Sequence, residues 1–137
     1  LYPNLLTTAY MGILDSSFLV AFFISNDVHH AAAVEAAETY RGQTKIVSFL
    51  VFQEFISILN RKVSTSVASS LGKQLLSGEN HLEIYKLDEA YLDGVLALYS
   101  NLGPHSFSYV DVSLIHLSKE LELPVLTFDK ALAAALA

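Results

Sequence analysis

The chain has no cysteine. Disulfide bonds and thiolate metal sites are therefore excluded, a composition that suits a cytoplasmic protein. Charge is scarce as well. Charged residues make up 16% of the 137, with 8 Lys and Arg against 14 Asp and Glu, for a net charge of −6. Nucleic-acid binders are usually basic, because phosphate contacts supply much of their affinity. The acidic balance counts against a stable, charge-driven grip on nucleic acid. It counts less against an enzyme whose carboxylates are neutralised by a cation, and it fits a basic partner. Long apolar runs are also missing. The stretch 18–24 is far too short to span a bilayer, and no basic region precedes it, so neither a membrane anchor nor a secretory signal is expected. There is no internal repeat, no low-complexity tract, no Gly-rich phosphate loop and no nucleophile elbow.

What is present is apolar surface. Hydrophobic residues make up 53% of the chain, enough for one core and for an oligomer interface besides. The length fits one domain. Residues 1–10 read as a tail or extension and 11–137 as the single domain.

Apolar strands alternate with helical patterns. Strands are expected at 12–14, 45–47, 82–85 and 124–128. Helices are expected at 18–24 behind a Ser16 or Ser17 cap, at 29–40, at 49–62 behind Ser48, and at 64–76. Two more should open at Asp88 and at Ser108, and a last one should run through 130–137. Strands separated by helices imply a parallel sheet with right-handed crossovers. The fold class is therefore α/β, a three-layer α/β/α sandwich.

In open α/β sheets, ligands bind beyond the carboxyl ends of the strands. Asp15 ends the first strand and Asp129 follows the fourth. Asp111 lies in the first turn of the helix from Ser108, which starts at the same edge. Glu54 lies about two turns into its helix and reaches that edge only if the helix leans across it. Each has a plainer reading. Asp15 and Asp129 can cap the next helix, and Ser108 with Asp111 fits a capping box. Glu54 sits at the margin of a solvent stripe formed by Gln53, Ser57, Asn60 and Arg61. A carboxylate pressed toward apolar ground needs a partner or a metal. Four acids at one edge form a hard-oxygen site suited to Mg2+ or Mn2+, one ion or two. Without a cation they would repel one another and raise one another's pKa. With one, the site is suited to phosphodiester hydrolysis.

These residues resemble a known family. Ile13 and Leu14 running into Asp15, Ser16 and Ser17 resemble the opening of PIN domains. Glu54 inside the apolar helix that follows Ser48 resembles the family's second motif. Ser108, Tyr109, Val110 and Asp111 resemble the third, and Leu126, Thr127, Phe128 and Asp129 the fourth. The resemblance spans 11–130, with the motifs in order. It implies a PIN-like sheet of four to five strands and metal-dependent ribonuclease activity on RNA, with Asp15, Glu54, Asp111 and Asp129 as catalytic metal ligands. It further implies hydrogen-bond support from Ser16 and Thr127. Many members of this size are VapC toxins, commonly homodimers, each neutralised by a VapB-type antitoxin. The sequence departs from the family at Ala131, where another acid often stands, and in stopping where a last strand usually follows.

Lys130 is the basic residue placed to contact a substrate phosphate. His29 and His30 point about 100° apart on a helix and have no third ligand at useful spacing, so zinc is not expected. The density of apolar helix residues could also supply a groove for a segment that folds on binding. Two other readings compete with the nuclease. One is a catalytically inactive PIN-like interaction module. The other is a receiver-type phospho-acceptor, which would show adjacent acids after its first strand.

Overall fold

A computed structural model describes residues 10–137. The expected tail at 1–9 lies outside the described residues, and Tyr10 already belongs to the first strand. The strands are β1 (Tyr10–Leu14), β2 (Thr44–Ser48), β3 (Leu82–Tyr85) and β4 (Val125–Leu126). The helices are α1 (Ser16–Phe23), α2 (His30–Thr39), α3 (Phe49–Lys62), α4 (Thr65–Leu76), α5 (Glu89–Asn101), α6 (Tyr109–Leu121) and α7 (Lys130–Leu136).

All strand pairs are parallel, and the order across the sheet is β3-β2-β1-β4. This is the α/β sandwich that the alternating pattern implies. The sheet has four strands among the described residues, so the fifth is not seen there. β1 and β2 are central and almost wholly buried, which is why their sequences are apolar on both faces. Lys45 is the charged residue of β2. It is buried, and its Nζ donates to the backbone carbonyls of Gln43 and Asn80, both at 3.1 Å.

β1 takes its position from close backbone approach. Gly12 has φ +153°, and a Cβ there would stand 2.5 Å from Leu126 Cδ1 and 2.8 Å from the Pro124 carbonyl oxygen. Only glycine lets β4 dock at that distance. Ile13 N–H donates to Pro124 O at 2.9 Å, and Asp15 N–H to Leu126 O at 3.1 Å.

The chain order sets the site. From β1 the chain steps outward through β2 to β3, with α1 to α4 packed together along the way. It then returns through the packed pair α5 and α6 to place β4 on the other side of β1. The direction of winding reverses between β1 and β4. In open α/β sheets that crevice, at the carboxyl ends of the strands, is where ligands bind.

Helix starts follow the capping chemistry read from the sequence. Ser48, Ser64, Asp88 and Ser108 each accept a backbone N–H two or three residues into the next helix. At α1 the sequence offers Asp15, Ser16 or Ser17 as the cap, and the structure uses the first. Asp15 accepts the Ser16 N–H at 2.7 Å.

Candidate active site

Asp15 stands at the crevice and is 4% exposed. An unpaired carboxylate at that depth would be costly. Its Oδ1 takes the Ser16 amide. Its Oδ2 accepts two hydroxyls, Thr127 Oγ1 at 2.6 Å and Ser17 Oγ at 2.9 Å. Those hydroxyls in turn accept backbone N–H groups from the loop after β4. Phe128 N–H donates to Ser17 Oγ at 3.0 Å, and Asp129 N–H to Thr127 Oγ1 at 3.0 Å. Each hydroxyl has one proton, and both protons go to Asp15. The two hydroxyl oxygens, 3.1 Å apart, are therefore neighbours without a proton between them. This lattice joins the ends of β1 and β4 and explains why β4 is short. Thr127 and Phe128 leave the strand ladder to serve the loop, so the strand expected over 124–128 is only Val125–Leu126.

Glu54 reaches the same place. α3 packs against α1, and Ser16 Oγ donates to Glu54 Oε1 at 2.5 Å while lying 3.5 Å from Asp15 Oδ1. The Ser16 hydroxyl thus stands between the two acids. Burial pushes the Glu54 carboxyl above the usual carboxylate range. The Ser16 hydrogen bond opposes that rise, the charges of Asp15 and Asp111 add to it, and Arg61 opposes it from the far end of α3. The solvent stripe of α3 runs through Gln53, Ser57, Asn60 and Arg61, and Glu54 is half-buried beside it.

Asp111 forms the capping box with Ser108, accepting its N–H at 3.1 Å while its own N–H donates to Ser108 Oγ at 3.0 Å. Its pKa is also raised. Burial is the main cause, the Ser108 hydrogen bonds oppose it, and the charges of Asp15 and Asp129 add to it. Asp129 caps α7 by accepting Leu132 N–H at 3.0 Å. Lys130 follows on an exposed first turn.

The capping roles expected of Asp15, Asp111 and Asp129 are all present: Asp15 and Asp129 cap helices, and Asp111 completes a capping box. The charge of Asp15 reaches Glu54 and Asp111, that of Asp111 also reaches Glu54, and that of Asp129 reaches Asp111. Among the described residues the only ion pairs are Arg41 with Glu38 and His116 with Glu120. None of the four acids has a basic partner there. Glu54 Oε2, Asp111 Oδ1 and Asp129 Oδ2 also accept no hydrogen bond among the described residues. These oxygens fit a hard divalent cation. They are not already gathered: no three His, Cys, Asp or Glu side chains among the described residues stand close enough together to hold a metal ion. Mutual repulsion between carboxylates opposes such a gathering until a positive charge is present.

The sequence matches the PIN domain family over residues 12–135. The chain belongs to the PIN-domain family. This PIN domain shares its fold with VapC20 of Mycobacterium tuberculosis, described as a sarcin–ricin loop cleaving toxin. The TM-score is 0.78 at 16% identity, covering 90% of this chain and 93% of that one. No curated protein matches the chain in sequence. Ser17 is the PIN-domain residue that the sequence reading left without a role at the site. Its signal was present in the run Asp15, Ser16, Ser17, where one hydroxyl faces Asp15 and the other Glu54.

Proposed function

We propose that this PIN domain is a metal-dependent endoribonuclease that hydrolyses RNA phosphodiester bonds, as the toxin of a toxin–antitoxin pair. The observation that carries the reading is the set of four acids at the winding reversal, none of them in an ion pair among the described residues. Family membership supports it, as does a shared fold with a sarcin–ricin loop cleaving toxin.

In this reading Asp15, Glu54, Asp111 and Asp129 hold one or two Mg2+ or Mn2+ ions. A bound divalent ion would orient the phosphate, lower the pKa of an attacking water and stabilise the leaving oxygen. The chain's own contribution is to fix the acids. Ser17 and Thr127 hold Asp15 Oδ2, and Ser16 orients Glu54 Oε1. Lys130, exposed next to Asp129, serves the substrate phosphate. The apolar residues Leu92, Leu96, Tyr99 and Leu102 are exposed along α5 and at its end, which supports a homodimer face. The net charge of −6 supports a basic partner such as a VapB-type antitoxin.

The test is cleavage of RNA in Mg2+ or Mn2+ by the native protein and by Asp15→Asn. Asn keeps the size of the side chain and can still accept the Ser16 N–H. Its amide nitrogen cannot accept the Ser17 and Thr127 hydroxyls, so circular dichroism first checks that the variant is folded. Cleavage should fall by at least about a hundredfold, the range expected when a reaction loses charge stabilisation. Undiminished cleavage would reject the assignment. Calorimetry with Mg2+ separates the nuclease from an inactive PIN-like interaction module, which has no need of the ion.

A further inference from the structure

The paired histidines divide into one structural and one available residue. His30 is tied down, its Nδ1 lying 2.7 Å from the Ala21 carbonyl oxygen. The ring nitrogens of His29 make no hydrogen bond among the described residues, yet the ring is held in place by stacking. It lies on Phe128 with centroids 4.5 Å apart and an interplanar angle of 0°. Phe128 lies in turn on Phe18, at 5.7 Å and 2°. The three rings form a parallel column that runs outward from buried Phe18 through half-buried Phe128 to exposed His29. The His29 backbone is fixed too. Its N–H donates to Asp27 Oδ1 at 2.8 Å, and its carbonyl accepts Ala33 N–H at 3.0 Å.

Phe128 stands in the chain between Thr127, which holds Asp15, and Asp129. The column therefore rises from the loop that carries Asp129 and holds Asp15. An exposed flat ring, preset in plane and backed by two others, is a surface on which a fourth flat ring can lie. Unpaired nucleobases are bound in this way by aromatic and histidine side chains. Stacking also needs no basic surface, which suits a chain with few Lys and Arg.

We infer that the imidazole of His29 is the stacking platform for an unpaired base of the RNA substrate. It is a positioning residue, fixing which nucleotide lies beside the acids. The inference rests on the ribonuclease reading.

The test compares native protein, His29→Ala and His29→Phe on a short single-stranded RNA carrying 2-aminopurine. Cleavage is followed in Mg2+. Binding and fluorescence quenching are followed in EDTA. Removing one stacked base contact costs on the order of tenfold in affinity. His29→Ala should raise KM and weaken binding by about that factor, with kcat within about twofold and the quench reduced. His29→Phe should restore both. Unchanged KM and quench in His29→Ala would overturn the inference, as would a defect that Phe does not rescue. Binding without cleavage by the native protein would sink the nuclease reading instead, and the quench would still decide the stacking. Absence of any RNA binding would overturn both.

Discussion

Replacing Thr127 with valine removes one hydroxyl and keeps the shape of the side chain. The lost groups are a proton donated to the Asp15 carboxylate at 2.6 Å and an oxygen that accepts Asp129 N–H at 3.0 Å. A hydrogen bond to a charged group is worth about 1.5–3 kcal/mol. Asp129 is exposed, so water can replace the second bond at little cost. Ser17 still donates to the same Asp15 oxygen, so the carboxylate is not orphaned. The expected loss is therefore about 2 kcal/mol. In a domain of this size that lowers Tm by roughly 8 °C. Ser17→Ala should cost about as much, by the same count of bonds. The double variant is the sharper measurement. It leaves Asp15 Oδ2 with no hydroxyl donor at a residue only 4% exposed, so the two losses should exceed their sum by about 1 kcal/mol or more. Urea unfolding in EDTA at pH 7, followed by circular dichroism, measures all three. Thr127→Val within about 0.5 kcal/mol of the parent, the size of an ordinary surface change, would refute the reasoning. So would strict additivity in the double variant.

Glu54 and Asp111 both hold their protons above the usual range. The folded chain then retains protons that the unfolded chain has released. Stability of the metal-free protein is fullest below the unfolded values and is lost as pH rises through the folded ones. Denaturation midpoints in EDTA should therefore fall as pH climbs above 4.5, the ordinary Glu value, and Glu54→Gln should flatten that fall. Adding Mg2+ at pH 7 should raise the midpoint of the native protein with the logarithm of its concentration once that exceeds Kd, with no rise in Asp15→Asn. Gly12→Ala should cost about 3 kcal/mol or more, because the new Cβ meets Leu126 and the Pro124 carbonyl at a positive φ; a thermal melt checks it. Tyr91→Phe removes the hydroxyl that donates to Ser113 O at 2.7 Å, and should cost about 1 kcal/mol by urea unfolding without altering cleavage.

Much of this was legible because it rests on local chemistry. Ser48, Asp88 and Ser108 announce helix starts by side-chain type alone, and the structure uses each as a cap. The burial of Glu54 followed from helical spacing. What stayed hidden depends on contacts between distant segments. Apolar periodicity cannot say that β4 lies beside β1 rather than β3, and that adjacency creates the crevice. Nor can it shorten β4: residues 127 and 128 have strand character but are drawn out of the ladder by Asp15 and Ser17. The tandem serines read as alternative caps, whereas Asp15 took the cap and freed both hydroxyls for carboxylates. The histidine pair looked like a helix start, and its members are separated by contacts with distant residues, His30 with the Ala21 carbonyl and His29 with the Phe128 ring.

The first strand and the last are partners in the sheet, and this has a consequence for biosynthesis. While the chain emerges from the ribosome, β1, β2 and β3 can pair, but the side of β1 that receives β4 stays bare until the segment around residue 129 has cleared the exit tunnel. Asp15 is then without Thr127, and its surroundings lack Asp129. On the ribonuclease reading proposed above, a nascent or truncated chain that stops short of this segment lacks both the hydroxyl that holds Asp15 and the Asp129 carboxylate, and is inert until they are made.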